Sequence, residues 1–367
     1  MPDFLAAAKD ARRRGLPHLE NLFLRMAIPM AKVIPPPPAP LHKRPSICMI
    51  VDHKGWCGER LSIELARHLK EFDCRIVRLG DREQLNLDAD LYIYRNPCWI
   101  NAVKLPEWAY KRIVCIVESH RSIDAGNGPP LAKVLYVVPM NNGLMNKVSP
   151  FGRNNMWPHT IANGVNIEEF HPAEKFPDEF TVGCAGNFSL DYYDDWKGFS
   201  KYIVPACELA GVKLKWCSWG GKCQAIPGAN NTQVSMDKMG EWYRGLSAFA
   251  LMSKSEGCSG VTFEAMASGL PVITTKVGWH GENCTDEVLW AQRPVNETRA
   301  GITAAINGLA DRLRQLKADY DFCVRQGKKA RAFAIQHPHS KIADQWREVI
   351  NTSLEHIRCQ APSPVVK

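Results

Sequence analysis

Residues 253–275 read SKSEGCSGVTFEAMASGLPVITT, and the reading of the whole chain turns on this stretch. The apolar run SAFALMS just before it and LPVITT at its end suit buried strands, while VTFEAMA between them suits a helix. Strand, glycine-rich loop, helix and strand in this order make one unit of a parallel sheet covered by helices. Glu256 stands in the loop and Glu264 in the helix, with seven residues between them. Ser259 is placed as the N-cap of a helix that begins near Gly260, and Gly257 and Gly260 let the backbone come close to a ligand. The first amides of that helix, around Gly260, Val261 and Thr262, lie at the positive end of its dipole and favour a phosphate. Glu264, about one turn in, can reach a ribose hydroxyl pair. Glu256 can accept hydrogen bonds from a sugar.

The same alternation extends in both directions. Upstream, SICMIVD, CRIVRL, DLYIYR, RIVCIVE and KVLYVVP read as strands, and ERLSIELARHLKEF reads as a helix with Leu61, Leu65 and Leu69 on one face. Around the opening stretch FTVGCAG, VKLKWC, SAFALMS, LPVITT and EVLWA form a second series. Two such series predict two doubly wound α/β domains, whose ligands bind beyond the carboxyl ends of the strands, so a cleft between the domains is the expected site. The expected boundaries are a basic helical extension with a proline-rich spacer over residues 1–45, an N-terminal Rossmann-like domain over 46–160 and a C-terminal one over 161–335. Residues 336–367 then form a last helix, expected to cross back to the N-terminal domain, and a tail.

Composition narrows the classes. In 367 residues, 45% are hydrophobic and 23% charged, values of a globular chain and of neither a disordered nor a fibrous one. No run of about 18 apolar residues occurs, so no membrane span is expected. Thirteen cysteines without a secretion signal point to free thiols and a cytoplasmic location. The net charge of +8 sits at the ends, with +5 over residues 1–45 and +6 over residues 312–367. Such a distribution suits contact with an anionic membrane surface or nucleic acid through the extension, or merely a solvated surface.

The paired glutamates, the trailing EAMASGLPV and the upstream NGVNIEEFHP at residues 163–172 together resemble the retaining GT-B glycosyltransferases of the family 4 type, the glycosyl transferases of group 1. The resemblance covers roughly residues 46–357. It implies a GT-B fold of two Rossmann-like domains facing a central cleft, with nucleotide diphosphate sugar as donor and a hydroxyl as acceptor. In that family a basic pair grips the donor diphosphate. Lys197, before Gly198, matches the lysine of the pair, while Asn187 stands near the place of the arginine, whose charge would have to come from elsewhere, for instance from Lys254 or Arg153. The resemblance assigns catalytic roles to His120, Lys197 and Glu256 and a donor contact to the position of Asn187; donor contacts are also expected from Gly55, in the glycine-containing loop DHKGWCGE after the first strand, and from Gly257, Gly260, Val261, Thr262 and Glu264. It implies no metal and no cofactor, because lysine, arginine and helix amides hold the diphosphate. Asp88 and Asp90 in LDADLYIYR are a carboxylate pair of another kind, and Asp90 is expected to cap its strand.

The expected activity is transfer with retention to a cell-envelope glycan or lipid-linked glycan, at the inner face of a membrane. Transfer to a modified nucleic-acid base, a nucleotide-sugar epimerase and a non-catalytic binding protein are the alternatives.

Overall fold

A computed structural model describes residues 44–186, 195–218, 230–232 and 234–360. The extension before Arg44, Asn187 and the C-terminal tail lie outside the described residues. The chain divides into two compact units, one with the described residues up to Ala162 and those from His339 on, the other with Asn163–Pro338.

In the first unit the chain runs β1 (Ser46–Val51), α1 (Cys57–His68), β2 (Asp73–Arg78), β3 (Leu91–Tyr94), β4 (Ile113–Val117), β5 (Tyr136–Pro139) and α2 (Asn142–Gly152), with short helical turns between them. The five strands form an all-parallel sheet in the order β2-β1-β3-β4-β5. Residues Ile47–Val51, Leu91–Tyr94 and Ile113–Val117 are buried throughout, because a sheet covered on both faces has no solvent side and its strands lose the polar alternation. Asp90 accepts hydrogen bonds from the backbone amide (2.8 Å) and hydroxyl (3.1 Å) of Ser46, which pins the start of β1 beside β3. Asp88 pairs with Arg75. Both carboxylates of the Asp88–Asp90 pair thus serve the sheet.

The second unit continues with β6 (Thr181–Gly186), α3 (Val204–Ala210), β7 (Lys213–Ser218), β8 (Asn230–Thr232), α4 (Met239–Arg244) and β9 (Ala248–Leu251). It ends with α5 (Gly260–Ala267), β10 (Val272–Thr275), α6 (Gly278–Asn283), β11 (Leu289–Ala291), α7 (Arg299–Ala318) and α8 (Tyr320–Ala334). Six parallel strands stand in the order β11-β10-β9-β6-β7-β8. The five strands expected from apolar runs are present. The sixth, β8, has no such run, since an edge strand bonded only to β7 is held by backbone pairing. The final helix α9 (His339–Gln360) belongs to the first unit, where Arg347 donates to the His68 carbonyl at 3.0 Å and pairs with Glu71 beside α1.

Each sheet has one point at which strand order reverses, and there the helices leave in opposite directions and a crevice opens beyond the carboxyl ends. In the first unit it lies between β1 and β3, and in the second between β6 and β9.

Candidate functional site

At the reversal in the second unit, β9 ends at Leu251 and the loop Met252–Ser259 leads to α5. Beside it runs the short segment Asp195–Gly198. The Met252 amide donates to the Lys197 carbonyl (3.1 Å), the Lys254 amide to the Trp196 carbonyl (2.9 Å), and Trp196 Nε1 to the Ser255 carbonyl (2.9 Å). Gly198 makes this approach possible: its φ is +69°, and a Cβ there would lie 2.4 Å from the Met252 carbonyl oxygen. The Asp195 carboxylate accepts from the amides of Ser200 (3.0 Å) and Lys201 (2.7 Å) and so starts the helical turn that leads into α3. Burial pushes the Asp195 carboxyl up, against the pull of those amides.

This arrangement brings together two of the residues singled out in the sequence. The Lys197 ammonium is ion-paired with the Glu256 carboxylate, and both side chains are mostly covered, at 23% and 14% exposure. Ser253 Oγ donates to Glu256 Oε1 at 2.6 Å. The carboxylate is therefore held from two sides, with its loop backed by α6. There Gly278, at φ +63°, passes so close that a Cβ would lie 2.7 Å from the Glu256 carbonyl oxygen, and Trp279 N donates to the Gly257 carbonyl at 2.8 Å.

Helix α5 begins at Gly260, as the pattern predicts, but Ser259 caps it by position only. Its side chain accepts no helix amide. Instead its hydroxyl takes a bond from Thr262 Oγ1 at 2.9 Å, so Thr262 faces the protein and has only its backbone amide to offer a ligand. The first intrahelical bond runs from Phe263 N to Ser259 O, which leaves the amides of Gly260, Val261 and Thr262 ahead of it. A Cβ on Gly260 would meet nothing within 4 Å, so the helix start is open on that side. Glu264 Oε2 accepts from Tyr243 OH at 3.0 Å, and the same hydroxyl lies 3.2 Å from the Val261 carbonyl.

The upstream motif NGVNIEEFHP serves this same loop. Asn163 Nδ2 donates to the Cys258 carbonyl at 2.7 Å, and the Phe170 ring meets Tyr243 edge-on, with centroids 5.7 Å apart. Two stretches distant in sequence thus carry one local structure: Asn163 ties down the loop, and Phe170 steadies the tyrosine that holds Glu264.

The other expected site residues fall in the first unit. Gly55 has φ +75°, its amide donates to Glu59 at 2.6 Å, and its α-carbon faces open space. His120 opens a short helical turn just past β4, behind Ser119, whose hydroxyl accepts from the Arg121 amide at 3.2 Å. Near it the carboxyl ends of β1, β3 and β4 carry pairs not singled out in the sequence: Asp52 with Trp99, and Arg95 with Glu118, whose carboxyl burial pushes up. Of the two cations named as substitutes for the missing arginine, Lys254 lies over the Trp196 ring at 5.8 Å, and Arg153 is exposed in the first unit. Ser253 and Tyr243 were not anticipated either. A serine three residues before Glu256 was the only signal for the first, and the tyrosine, on α4, has none in its own neighbourhood.

Residues 222–319 match a family model described as glycosyl transferases group 1. Among similar solved structures is HepE of Anabaena in complex with UDP-glucose, with a TM-score of 0.65 and 15% identity over 84% of this chain and 100% of that one. A sucrose-phosphate synthase from Thermosynechococcus elongatus gives 0.63 and 16% over 84% of this chain and 99% of that one. The pneumococcal O-GlcNAc transferase GtfA, in complex with UDP and GlcNAc, gives 0.56 and 13% over 72% of this chain and 57% of that one. These likenesses show the GT-B fold, two Rossmann-like units in one chain. A search of curated proteins gives no match. Among the described residues no helix is long and apolar enough to cross a membrane.

Proposed function

We propose that the chain is a retaining glycosyltransferase that moves a sugar from a nucleotide diphosphate sugar to an acceptor hydroxyl. The observation that carries the reading is the meeting of Lys197 and Glu256 at the β6/β9 reversal, next to the open N-terminal amides of α5 and one turn from Glu264. The group 1 glycosyltransferase match over residues 222–319 includes this loop and helix, which supports it.

In this reading the donor diphosphate takes the place of Glu256 as partner of Lys197, and the amides of Gly260, Val261 and Thr262 receive its oxygens, so that lysine and helix amides do the work of a metal. Glu264, steadied by Tyr243, binds the ribose. Glu256 holds hydroxyls of the sugar, with Gly257 giving the backbone room. The bond from the anomeric carbon to the diphosphate breaks with its electron pair on the phosphate oxygen. The acceptor oxygen then bonds to the carbon on the same face, and its proton passes to the departing phosphate. Catalysis rests on stabilising the leaving charge. The acceptor is a glycan or lipid-linked glycan of the cell envelope, reached from the cytoplasmic side with the basic extension on an anionic surface.

A panel of nucleotide sugars, with UDP-sugars first, tests the reading by thermal shift and by donor hydrolysis. Stabilisation by one nucleotide and slow release of its sugar are expected. If no nucleotide sugar either raised the melting temperature or was consumed with acceptor extracts present, the chain would be no glycosyltransferase.

A further inference from the structure

We propose that Arg293 and Glu297 are the positioning pair of this site: they hold the Lys197 segment and the Glu256 loop in register without touching a ligand. The inference rests on reading Lys197 and Glu256 as donor-site groups.

Arg293 lies just past β11, and its side chain is only 6% exposed. Its Nη1 donates to the Met252 carbonyl (2.8 Å) and the Trp196 carbonyl (3.0 Å), with the Asp195 carbonyl at 3.4 Å. Its Nη2 (2.7 Å) and Nε (3.1 Å) donate to Glu297 Oε1, and the guanidinium sits 5.0 Å from the centre of the Tyr202 ring. Met252 heads the loop that carries Glu256, and Trp196 directly precedes Lys197. These are the same two stretches joined by the amides of Met252 and Lys254. Arg293 closes that short ladder from behind.

Glu297 completes the device. It pairs with Lys201 and accepts from Tyr202 OH at 3.1 Å, both on the turn that follows Lys197, and it stands beside Thr298, the N-cap of α7. Burial pushes the Glu297 carboxyl up, but Lys201, Arg293 and Tyr202 outweigh it and hold it down at about 2, so the anchor keeps its charge through the physiological range. Only a planar fork can serve two carbonyls and a carboxylate in different directions, which lysine, a point charge on a flexible stem, cannot. All three guanidinium nitrogens are engaged by protein groups, so Arg293 is not a replacement for the arginine missing near Asn187. Its charge fixes where Lys197 stands, and a reacting group displaced by about 1 Å can lose on the order of a hundredfold in rate.

The test uses the full chain with Arg293→Gln, Arg293→Lys and Glu297→Gln. The readout that needs no activity is hydrogen exchange at the amides of Met252 and Lys254. Arg293→Gln and Glu297→Gln should speed exchange there about tenfold or more while amides inside β6 and β9 keep their rates, with Arg293→Lys between them and the parent chain. The second readout is UDP-glucose hydrolysis, or that of whichever nucleotide sugar the parent chain turns over. There kcat should fall about tenfold or more with KM within about threefold, and in a Lys197→Ala background Arg293→Gln should add less than about threefold. Unchanged exchange at Met252 and Lys254, or full multiplication of the two losses, would overturn the positioning role. Should Arg293→Gln fail to fold, the Lys variant and Glu297→Gln decide by the same two measurements. A parent chain that turns over no nucleotide sugar sinks the donor reading alone, and the exchange rates still decide whether the clamp exists.

Discussion

Lys197 and Glu256 form an ion pair across the point where strand order reverses in the second unit, each on a loop from a different side of that reversal. The pair is three-quarters covered or more, and Ser253 fixes its acceptor oxygen from behind. A cation and a carboxylate held this way cost little to the fold while paired. In the proposed reading the lysine binds the diphosphate and the carboxylate accepts hydrogen bonds from sugar hydroxyls.

Lys197→Ala should lower kcat/KM for the donor by a hundredfold or more, the effect of losing about 2.7 to 4 kcal/mol from one preorganised charge donor. A loss below about threefold in steady-state assays would mean that the lysine only neutralises Glu256. Asn187→Arg, measured in the same assay, is expected to leave the rate unchanged or raise it.

Glu264→Gln and Tyr243→Phe are expected to act on one quantity, donor affinity. In the proposed reading the tyrosine acts on the ligand only through the carboxylate it orients, so its effect should be the smaller, about 0.5 to 1.5 kcal/mol for one hydrogen bond. Glu256→Gln should depress kcat more than affinity. Calorimetric titration with the nucleotide sugar separates the cases, and equal affinity for all four proteins would remove Glu264 from the site.

His280 makes the second unit sensitive to acid. Its ring is 3% exposed between Phe263 and Trp279, with ring centroids 4.5 Å and 5.5 Å away, and among the described residues its Nε2 has no hydrogen-bond partner. Burial, with His337 nearby, lowers its pKa to about 3. The unfolded chain takes up the proton near pH 6.5, so the stability from keeping this ring neutral is complete above that pH and is lost as pH falls towards 3, at about 1.4 kcal/mol per unit. Unfolding free energies from urea titrations at pH 7 and pH 5 should differ by about 2 kcal/mol more in the parent chain than in His280→Leu. Parallel pH profiles for the two would show that the buried ring does not titrate on unfolding.

Removal of residues 1–45 should leave donor hydrolysis nearly intact and impair use of a membrane-borne acceptor. Lys9, Arg12, Arg13, Arg14, Arg25 and Lys32 would supply a salt-sensitive attraction to an anionic surface. Co-sedimentation with anionic vesicles and gel shift with DNA, at low and high salt, tell the membrane from nucleic acid. Should the full chain bind neither at low salt, the basic extension has no role in acceptor binding.

The sequence alone determined the buried strands, though not the edge strand β8. Strands covered on both faces, such as Ile47–Val51 and Ile113–Val117, must be apolar at every position, and that necessity is visible residue by residue. The loop from Glu256 to Gly260 and the helix carrying Glu264 were legible for the same reason, because glycine spacing and helical period are local. Asp90 was also legible as a strand cap. What the local pattern could not carry was the order in which strands pair. That order places β6 beside β9 rather than β8, and so brings Lys197 to Glu256, Arg293 to the carbonyls of Trp196 and Met252, and Tyr243 to Glu264. It also lets Thr262 take the Ser259 hydroxyl from its expected cap, since a side chain chooses among partners only once they are present. Strand order is set by backbone bonds and side-chain packing between segments far apart in the chain, and those contacts exist only in the folded sheet.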